Sequence, residues 1–322
     1  MRSRRYLVKK FLQALLTLVF VLSFNFFLFR IMPSDPARFL ARSGRLSAQQ
    51  AARLEHELGL DKALPQQFVI YVKDTLSGNL GLSFIDGAPV TEVLAKNLKR
   101  TLLLVGVSTI LSTVFGLLIG IYGAWRRGST FDVGSLGASL VLYSMPEFWL
   151  GMMLLIVFGY KLHLFPLAGY QSDVPVTGLA HVTDLVNHMF LPALTLTLAF
   201  LGEYALIIRA SLLDVMGEEY VTTARAKGLM DAQVLWRHSV PNALLPAVTL
   251  VVLNLAFVVG GAITVETVFS YQGLGLLTYE AINNQDYPIL QGIFLLFSGV
   301  VIVANLVADV LYGYLDPRVR EA

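Results

Sequence analysis

The chain has 322 residues, of which 56% are hydrophobic and 14% are charged, and its mean hydropathy is +0.66. This composition excludes an ordinary soluble globular domain and indicates a membrane protein with several spans. The net charge of +2 gives no basis for nucleic-acid binding, and the lack of cysteine excludes disulfides, thiolate metal sites and cysteine nucleophiles.

The N-terminal segment is basic and precedes the first apolar run. Five Lys and Arg residues fall within residues 1–10, and residues 11–29 are predominantly apolar. This run is longer than the apolar part of a usual signal peptide, and no small-x-small cleavage site follows it. It therefore predicts a first membrane span with the N-terminus in the cytoplasm, ended by Pro33 and Pro36.

Residues 32–100 form the only long hydrophilic segment and are predicted to be an extracytoplasmic loop domain. A helix capped by Ser47 and a second helix over residues 66–76 are expected within it. Beyond this segment, residues 101–322 are expected to form the core of the protein.

Apolar segments predict an all-α integral membrane fold with six transmembrane helices, at residues 11–29, 101–125, 133–160, 191–213, 243–268 and 289–311. The third is interrupted at Ser144-Met145-Pro146, because proline removes a backbone hydrogen bond and kinks a helix. Pro192 is expected to open the fourth. The basic residues of the short loops place both termini in the cytoplasm.

A polar island separates the fourth and fifth predicted spans, within a cytoplasmic loop at residues 214–242. Residues 218–227 favour a helix with Tyr220, Val221 and Ala224 on one face. Gly228 suits a left-handed helix end, and Leu229 can pack back on the last turn. Such a helix suits docking into a groove on a soluble partner, where Ala224 permits close approach, but an ordinary amphipathic connector would show the same pattern.

The residues of this island resemble those of a known transporter family. Thr222-Thr223-Ala224-x-x-x-Gly228, followed by Pro241, resembles the EAA loop in the membrane subunits of ABC importers. Residues 223–229 and 237–246 resemble the dipeptide/oligopeptide/nickel permeases in particular. The resemblance implies a helix that couples to an ATP-binding subunit, and it assigns this role to Tyr220, Thr222, Thr223, Ala224, Arg225, Lys227, Gly228, Leu229 and Pro241.

The same resemblance implies the permease subunit of an ATP-driven importer in a bacterial or archaeal cell membrane. Its implied partners are a second homologous permease subunit, cytoplasmic ATP-binding subunits, an extracytoplasmic substrate-binding protein and the lipid bilayer. ATP and Mg²⁺ are expected on the partner subunits, since the sequence lacks the Gly-x-x-x-x-Gly-Lys-Ser/Thr pattern; no catalytic residue, cofactor or metal is expected in this chain. Residues 32–100 are expected either to contact the binding protein or to cap the pathway.

Peptides are the leading substrate class. Nickel complexes, glutathione-like molecules and oligosaccharides are carried by similar permeases and stay open as alternatives. Residues 266–288 resemble the short re-entrant loop of this family.

Four acidic residues fall within or at the ends of predicted spans. An ionised carboxylate at mid-membrane costs about 2.5–3.5 kcal/mol, so it is expected to face a water-filled passage or a partner. Glu147 and Glu203, with Pro146 and Trp149, are the candidate pathway residues and would favour a substrate bearing an amino group or another cation. A protonated or hydrogen-bonded carboxyl is the alternative. Glu266 and Asp309 lie near the ends of spans and are expected to be anchors or caps.

The sequence favours some rival functions less than an importer subunit, and a secondary transporter stays open as the weaker alternative. His181 and His188 have no third ligand at metal spacing. A membrane-embedded enzyme would need a motif such as His-Glu-x-x-His or Gly-x-Ser-x-Gly, and neither occurs. A secondary transporter would work without ATP, and the large polar loop at residues 214–242 argues against it.

Overall fold

The computed structural model describes residues 2–31, 62–174, 176–248, 250–251 and 262–315, and these residues are predominantly helical. Their single β pairing is a bridge between Leu82 and Pro89. The helices are α1 (Arg2–Ile31), α2 (Leu64–Leu76), α3 (Val90–Trp125), α4 (Thr130–Ser144), α5 (Glu147–Leu154), α6 (Leu179–Met216), α7 (Glu219–Ala226), α8 (Asp231–Gln233), α9 (Val240–Ala243), α10 (Ile263–Val268), α11 (Leu274–Asn283) and α12 (Tyr287–Leu315). Two π-helical segments, Leu155–Lys161 and Val234–Ser239, continue α5 and α8.

Four helical segments are long and apolar enough to cross a membrane, which confirms an all-helical membrane protein. They are Val8–Phe29, Val90–Trp125, Leu179–Met216 and Tyr287–Val307. A bent pair of helices, Thr130–Ser144 and Glu147–Lys161, supplies up to one more. Six spans remain a prediction, because residues 252–261 of the fifth predicted span, including Gly260 and Gly261, lie outside the described residues.

The predicted interruption at Pro146 is present and is sharper than a kink. Helix α4 ends at Ser144, and α5 starts at Glu147 after a bend of 103°. A proline disfavours helical geometry in the residue before it, and Met145 accordingly has an extended backbone with ψ of 131°.

Helix α3 begins at Val90, well before the predicted start at residue 101. Val90 and Leu94 are buried, so the early turns of α3 are held by packing. Gly292 makes this possible, since a Cβ there would lie 2.8 Å from Val90 Cγ1 and 2.9 Å from Leu94 Cδ1.

Helix α6 begins at Leu179, so the prediction that Pro192 opens it was wrong. Pro192 is buried inside the helix. The polar first turns belong to the helix because they anchor the preceding loop: the Asp184 carboxylate accepts a hydrogen bond from the Ser172 N–H at 2.8 Å. Nδ1 of His188 is hydrogen-bonded to the backbone carbonyl of Asp184 at 2.9 Å.

The described chain divides into two compact units, and the first comprises Met1–Lys99 with Leu277–Leu306. In this unit α1 packs on α2, as the ring of Phe26 makes an edge contact with Phe68. The predicted helix over residues 66–76 is confirmed by α2, whereas the helix expected after Ser47 lies outside the described residues. Asp286, at 3% exposure, accepts a hydrogen bond from Ser83 Oγ and thereby ties the turn before α3 to the start of α12.

The second unit comprises Arg100–Leu276 and Val307–Ala322. Its core surrounds α6, where Leu191 and Leu196 pack with Leu104 and Val105 of α3. Helix α3 approaches α6 closely through glycines: a Cβ on Gly116 would lie 3.0 Å from the carbonyl oxygen of Leu201. Small residues of this kind let membrane helices pack backbone to backbone.

Candidate functional site

Helix α7 lies directly after the long helix α6 and has one buried face. Val221 and Ala224 are at most 5% exposed and pack on Val234, with Val215 and Leu229 beside them. Ala224 packs here against its own chain, because a helix this short is held in place by burying its small apolar side, and its close approach to a partner stays a prediction. Tyr220, predicted on the same face, is 41% exposed.

The end of α7 has the geometry predicted for Gly228. This glycine has φ of +77°, and its N–H donates to the carbonyl of Arg225 at 2.9 Å. The N–H of Leu229 donates to the carbonyl of Ala224, and the Leu229 side chain packs beside it. These two bonds and the apolar contact form a Schellman motif, which stops the helix and turns the chain.

The outer side of this turn forms an exposed polar surface, which we call the α7 surface. Its exposed residues are Tyr220, Thr222, Thr223, Arg225, Lys227 and Gly228. Thr223 Oγ1 donates back to the carbonyl of Glu219. Partial burial raises the pKa of the Tyr220 hydroxyl, against the opposite effect of its hydrogen bond with Asn242, so this group is neutral at physiological pH. The α7 surface is thus polar and carries positive charges at Arg225 and Lys227, beside the exposed Glu219 in the first turn of the same helix.

A π-helical segment and α9 form the base beneath α7. Pro241, which is exposed, lies in the first turn of α9, where a missing N–H costs little. Leu235, Val240 and Ala243 are buried against Ile208 and Leu212 of α6. Ser211 Oγ also donates to the carbonyl of Ala243 at 3.0 Å. The base and the last turns of α6 therefore form one packed body.

An ion pair that the sequence did not reveal joins α4 to α6. Arg209 donates to both carboxylate oxygens of Asp132, at 2.6 Å from Nε and 2.9 Å from Nη2. Asp132 is 2% exposed and also accepts from the N–H of Gly128. The two residues are 77 positions apart in the sequence. The sequence therefore indicated only that a charged residue in a membrane helix tends to pair with another, and not which residue it pairs with.

The four candidate pathway residues do not form one cluster in the described structure. Pro146 and Trp149 line an open apolar cavity of about 550 Å³, together with Leu140, Val141, Ser144, Met145 and Phe148. Glu147 and Glu203 are not among its lining residues. Glu147 is the first residue of α5, where a carboxylate is favoured by the helix dipole.

Glu266 was expected to be an anchor, and its contacts confirm this. It is fully buried and accepts hydrogen bonds from Thr101 Oγ1 at 2.6 Å and from the N–H groups of Gly275 and Leu276 at 2.7 and 3.2 Å. These N–H groups belong to the first turn of α11, so the carboxylate caps that helix. The side chain of Asp309 lies outside the described residues.

Comparisons with known proteins agree with this architecture. Residues 116–321 match the family model described as binding-protein-dependent transport system inner membrane component, and residues 3–105 match the N-terminal model of such membrane components. The dipeptide transport system permease protein DppB of Escherichia coli (strain K12) is 37% identical over 322 residues, covering 94% of this chain and 95% of that protein.

Two further relatives are similar along nearly their whole length. The di/tripeptide transport system permease protein DppB of Pseudomonas aeruginosa is 38% identical, covering 92% of this chain and 93% of the relative. The glutathione transport system permease protein GsiC of Pectobacterium atrosepticum is 37% identical and covers 98% of both chains. A chain of the MetNI methionine ABC transporter, solved in inward-facing conformations, shares the fold with a TM-score of 0.53 at 18% identity, covering 70% of this chain and 96% of that one.

Proposed function

Because this chain belongs to the family of binding-protein-dependent transport system inner membrane components, we propose that it is the permease subunit of an ATP-driven peptide importer. The observation that carries the proposal is the α7 surface, an exposed polar surface on a short helix that directly follows a long membrane helix. In the proposed complex this surface fits a groove on a cytoplasmic ATP-binding subunit.

The packing beneath α7 gives this surface a means of moving the membrane helices. Helix α6 ends at Met216 and α7 begins at Glu219, so only two residues separate the docking helix from the membrane helix. Ile208 and Leu212 are fully buried against the base of α7, and Arg209 is paired with Asp132 of α4. Displacement of α7 by a nucleotide-driven partner would therefore shift α6 and α4 together, since packed interiors transmit strain.

The proposed complex contains a second homologous permease subunit, ATP-binding subunits that carry ATP and Mg²⁺, and an extracytoplasmic binding protein. This chain supplies six spans with both termini in the cytoplasm, and it has no catalytic role. Peptides are the proposed substrates, because the similar permeases are named for dipeptides, di- and tripeptides and glutathione.

Glu147 and Glu203 are proposed to favour peptides that carry an extra amino group. Both side chains are partly exposed, which leaves them accessible to a water-filled passage. Conversion of both to glutamine should lower the uptake of a lysine-containing dipeptide relative to a neutral one by several-fold. Unchanged selectivity in the double variant would remove this assignment and leave the importer proposal intact.

The test of the central proposal is co-purification from detergent-solubilised native membranes. Wild type should bring down a protein that carries a phosphate-binding loop motif and hydrolyses ATP. Arg225→Glu, on the α7 surface, should reduce this recovery at least tenfold. Arg126→Glu is the matched control, because Arg126 is also an exposed arginine in a predicted cytoplasmic loop.

Gly228→Asp provides a second variant of the same surface, since a side chain at φ of +77° strains the helix end. Equal recovery of the ATPase with all variants would refute the α7 surface as the docking site. Failure to recover any ATPase with wild type would argue for ATP-independent transport instead.

A further inference from the structure

Arg100 lies where three segments of the second unit meet. It belongs to α3, and its guanidinium carbon lies 4.4 Å from the centre of the Tyr170 ring. Its Nη1 donates a hydrogen bond to the carbonyl of Gln272 at 3.1 Å. Stacking on an aromatic ring and one hydrogen bond together hold the planar guanidinium in a single orientation.

The groups that hold Arg100 are themselves fixed. Tyr170 donates its N–H to Gln272 Oε1 at 3.2 Å, and its ring makes an edge contact with the fully buried Tyr271. Gly169 donates its N–H to the carbonyl of Phe269 at 3.1 Å. The orientation of the guanidinium is therefore established before any ligand arrives, which reduces the entropic cost of binding.

The charge of Arg100 has no carboxylate partner within ion-pairing distance among the described residues; the ion pairs found there are those of His188 with Asp184 and Arg209 with Asp132. Glu266 lies nearby, because it is hydrogen-bonded to Thr101, the residue after Arg100. Its carboxylate oxygens accept hydrogen bonds from Thr101, Gly275 and Leu276. Gln272 is thus the one hydrogen-bond acceptor of Arg100 in this part of the chain, and most donors of the guanidinium fork are available.

We propose that Arg100 binds the terminal carboxylate of a peptide as the peptide passes from the binding protein into the permease. This inference rests on the proposed function, which places the start of the apolar part of α3 at the extracytoplasmic face. A guanidinium fork matches a carboxylate with two parallel hydrogen bonds, and Arg100 is oriented to present it. Arg100 and Tyr170 are half-buried and Gln272 is exposed, so the guanidinium is held in place while part of it stays accessible.

The relatives named above have substrates with this chemistry. Dipeptides, tripeptides and glutathione all carry a free carboxylate at physiological pH. A cationic site at the outer end of the pathway would attract this carboxylate from the binding protein without discriminating between peptide side chains. Arg100 would thereby make a free carboxylate the shared requirement.

The experiment measures ATP-dependent uptake of a dipeptide and of its C-terminal amide by the complete transporter, reconstituted in proteoliposomes with its binding protein. Each variant is compared with wild type as the ratio of kcat/KM for the free acid to that for the amide. Dividing the ratio of each variant by that of wild type cancels the preference of the binding protein itself. Lys99→Gln is the matched control, because Lys99 is an exposed cation next in sequence.

Arg100→Gln should lower the ratio about 10- to 100-fold, the effect expected for lost hydrogen bonds between charged groups. Arg100→Lys should lower it less, since the charge remains without the fork. The control should leave the ratio unchanged. Thermal melting of each purified complex reports whether the variants fold.

Two results would overturn the inference. A loss in Arg100→Gln that is equal for the acid and the amide would assign Arg100 to structure or to the binding-protein interface, and an unchanged ratio would remove any role in substrate recognition. Both would leave the importer proposal standing. Absence of ATP-dependent peptide uptake by wild type would instead refute the proposed function and this inference with it.

Discussion

Gly120 of α3 is the position at which the structure makes the sharpest stability prediction. A Cβ there would overlap Cγ2 of Ile208 and lie 2.5 Å from the carbonyl oxygen of Ala205, both on α6. Favourable contacts between heavy atoms occur at about 3.5–4.0 Å, so alanine would force the two helices apart by about 1 Å. Overpacking of this kind costs about 1–3 kcal/mol.

Gly106→Ala is the matched control, because Gly106 lies in the same helix and a Cβ there would meet nothing within 4 Å. Both substitutions gain the same helix propensity, about 1 kcal/mol, so the difference between them isolates the helix contact. Thermal unfolding of the purified protein should show Gly120→Ala melting at least about 2 °C below Gly106→Ala. When both glycine variants also carry Ile208→Ala, the difference between them should shrink, because one of the obstructions to a Cβ at position 120 has been removed. Equal melting temperatures for the two alanine variants would refute the close approach of α3 and α6.

Two other features support predictions of the same kind. Asp132→Ala should destabilise the protein by about 3 kcal/mol, because it leaves the guanidinium of Arg209 unpaired, and adding Arg209→Met should recover part of that loss. Thermal unfolding measures this, with Asp214→Ala as the control, because Asp214 is an exposed aspartate of α6, the helix that carries Arg209; additive effects of the two substitutions would contradict the pairing. Glu266→Ala should speed hydrogen exchange at the amides of Gly275 and Leu276 at least tenfold, because both lose their acceptor, whereas Glu280→Ala on the exposed side of α11 should not. Unaltered exchange in the Glu266 variant would show that these amides are protected by other means.

Local features of the chain were predicted well from sequence. The break at Pro146 and the helix end at Gly228 depend on backbone preferences of single residues and their neighbours. The family resemblance, confirmed by the comparisons, was carried by a short polar loop between two apolar segments. The division into residues 1–31, 32–100 and 101–322 stays a prediction.

Helix starts are predicted less well from sequence, because a polar segment is not always a loop. Helix α6 extends to Leu179 through polar turns that bind the preceding loop, and α3 extends to Val90 through contacts with residues distant in sequence. The Gly116-x-x-x-Gly120 spacing was a readable signal of close helix packing, whereas nothing near Arg100 in the sequence pointed to Tyr170.

The sequence by itself determined that this is a helical membrane protein, where its polar loop lies and to which family that loop belongs. These properties follow from hydropathy and from short-range backbone preferences, which a linear pattern records directly. Only the tertiary structure decided that Ala224 faces inward, that Arg209 pairs with Asp132 and that Glu266 caps α11. Each depends on segments brought together by folding, so the charge or size of a residue could be read from the sequence but its partner could not.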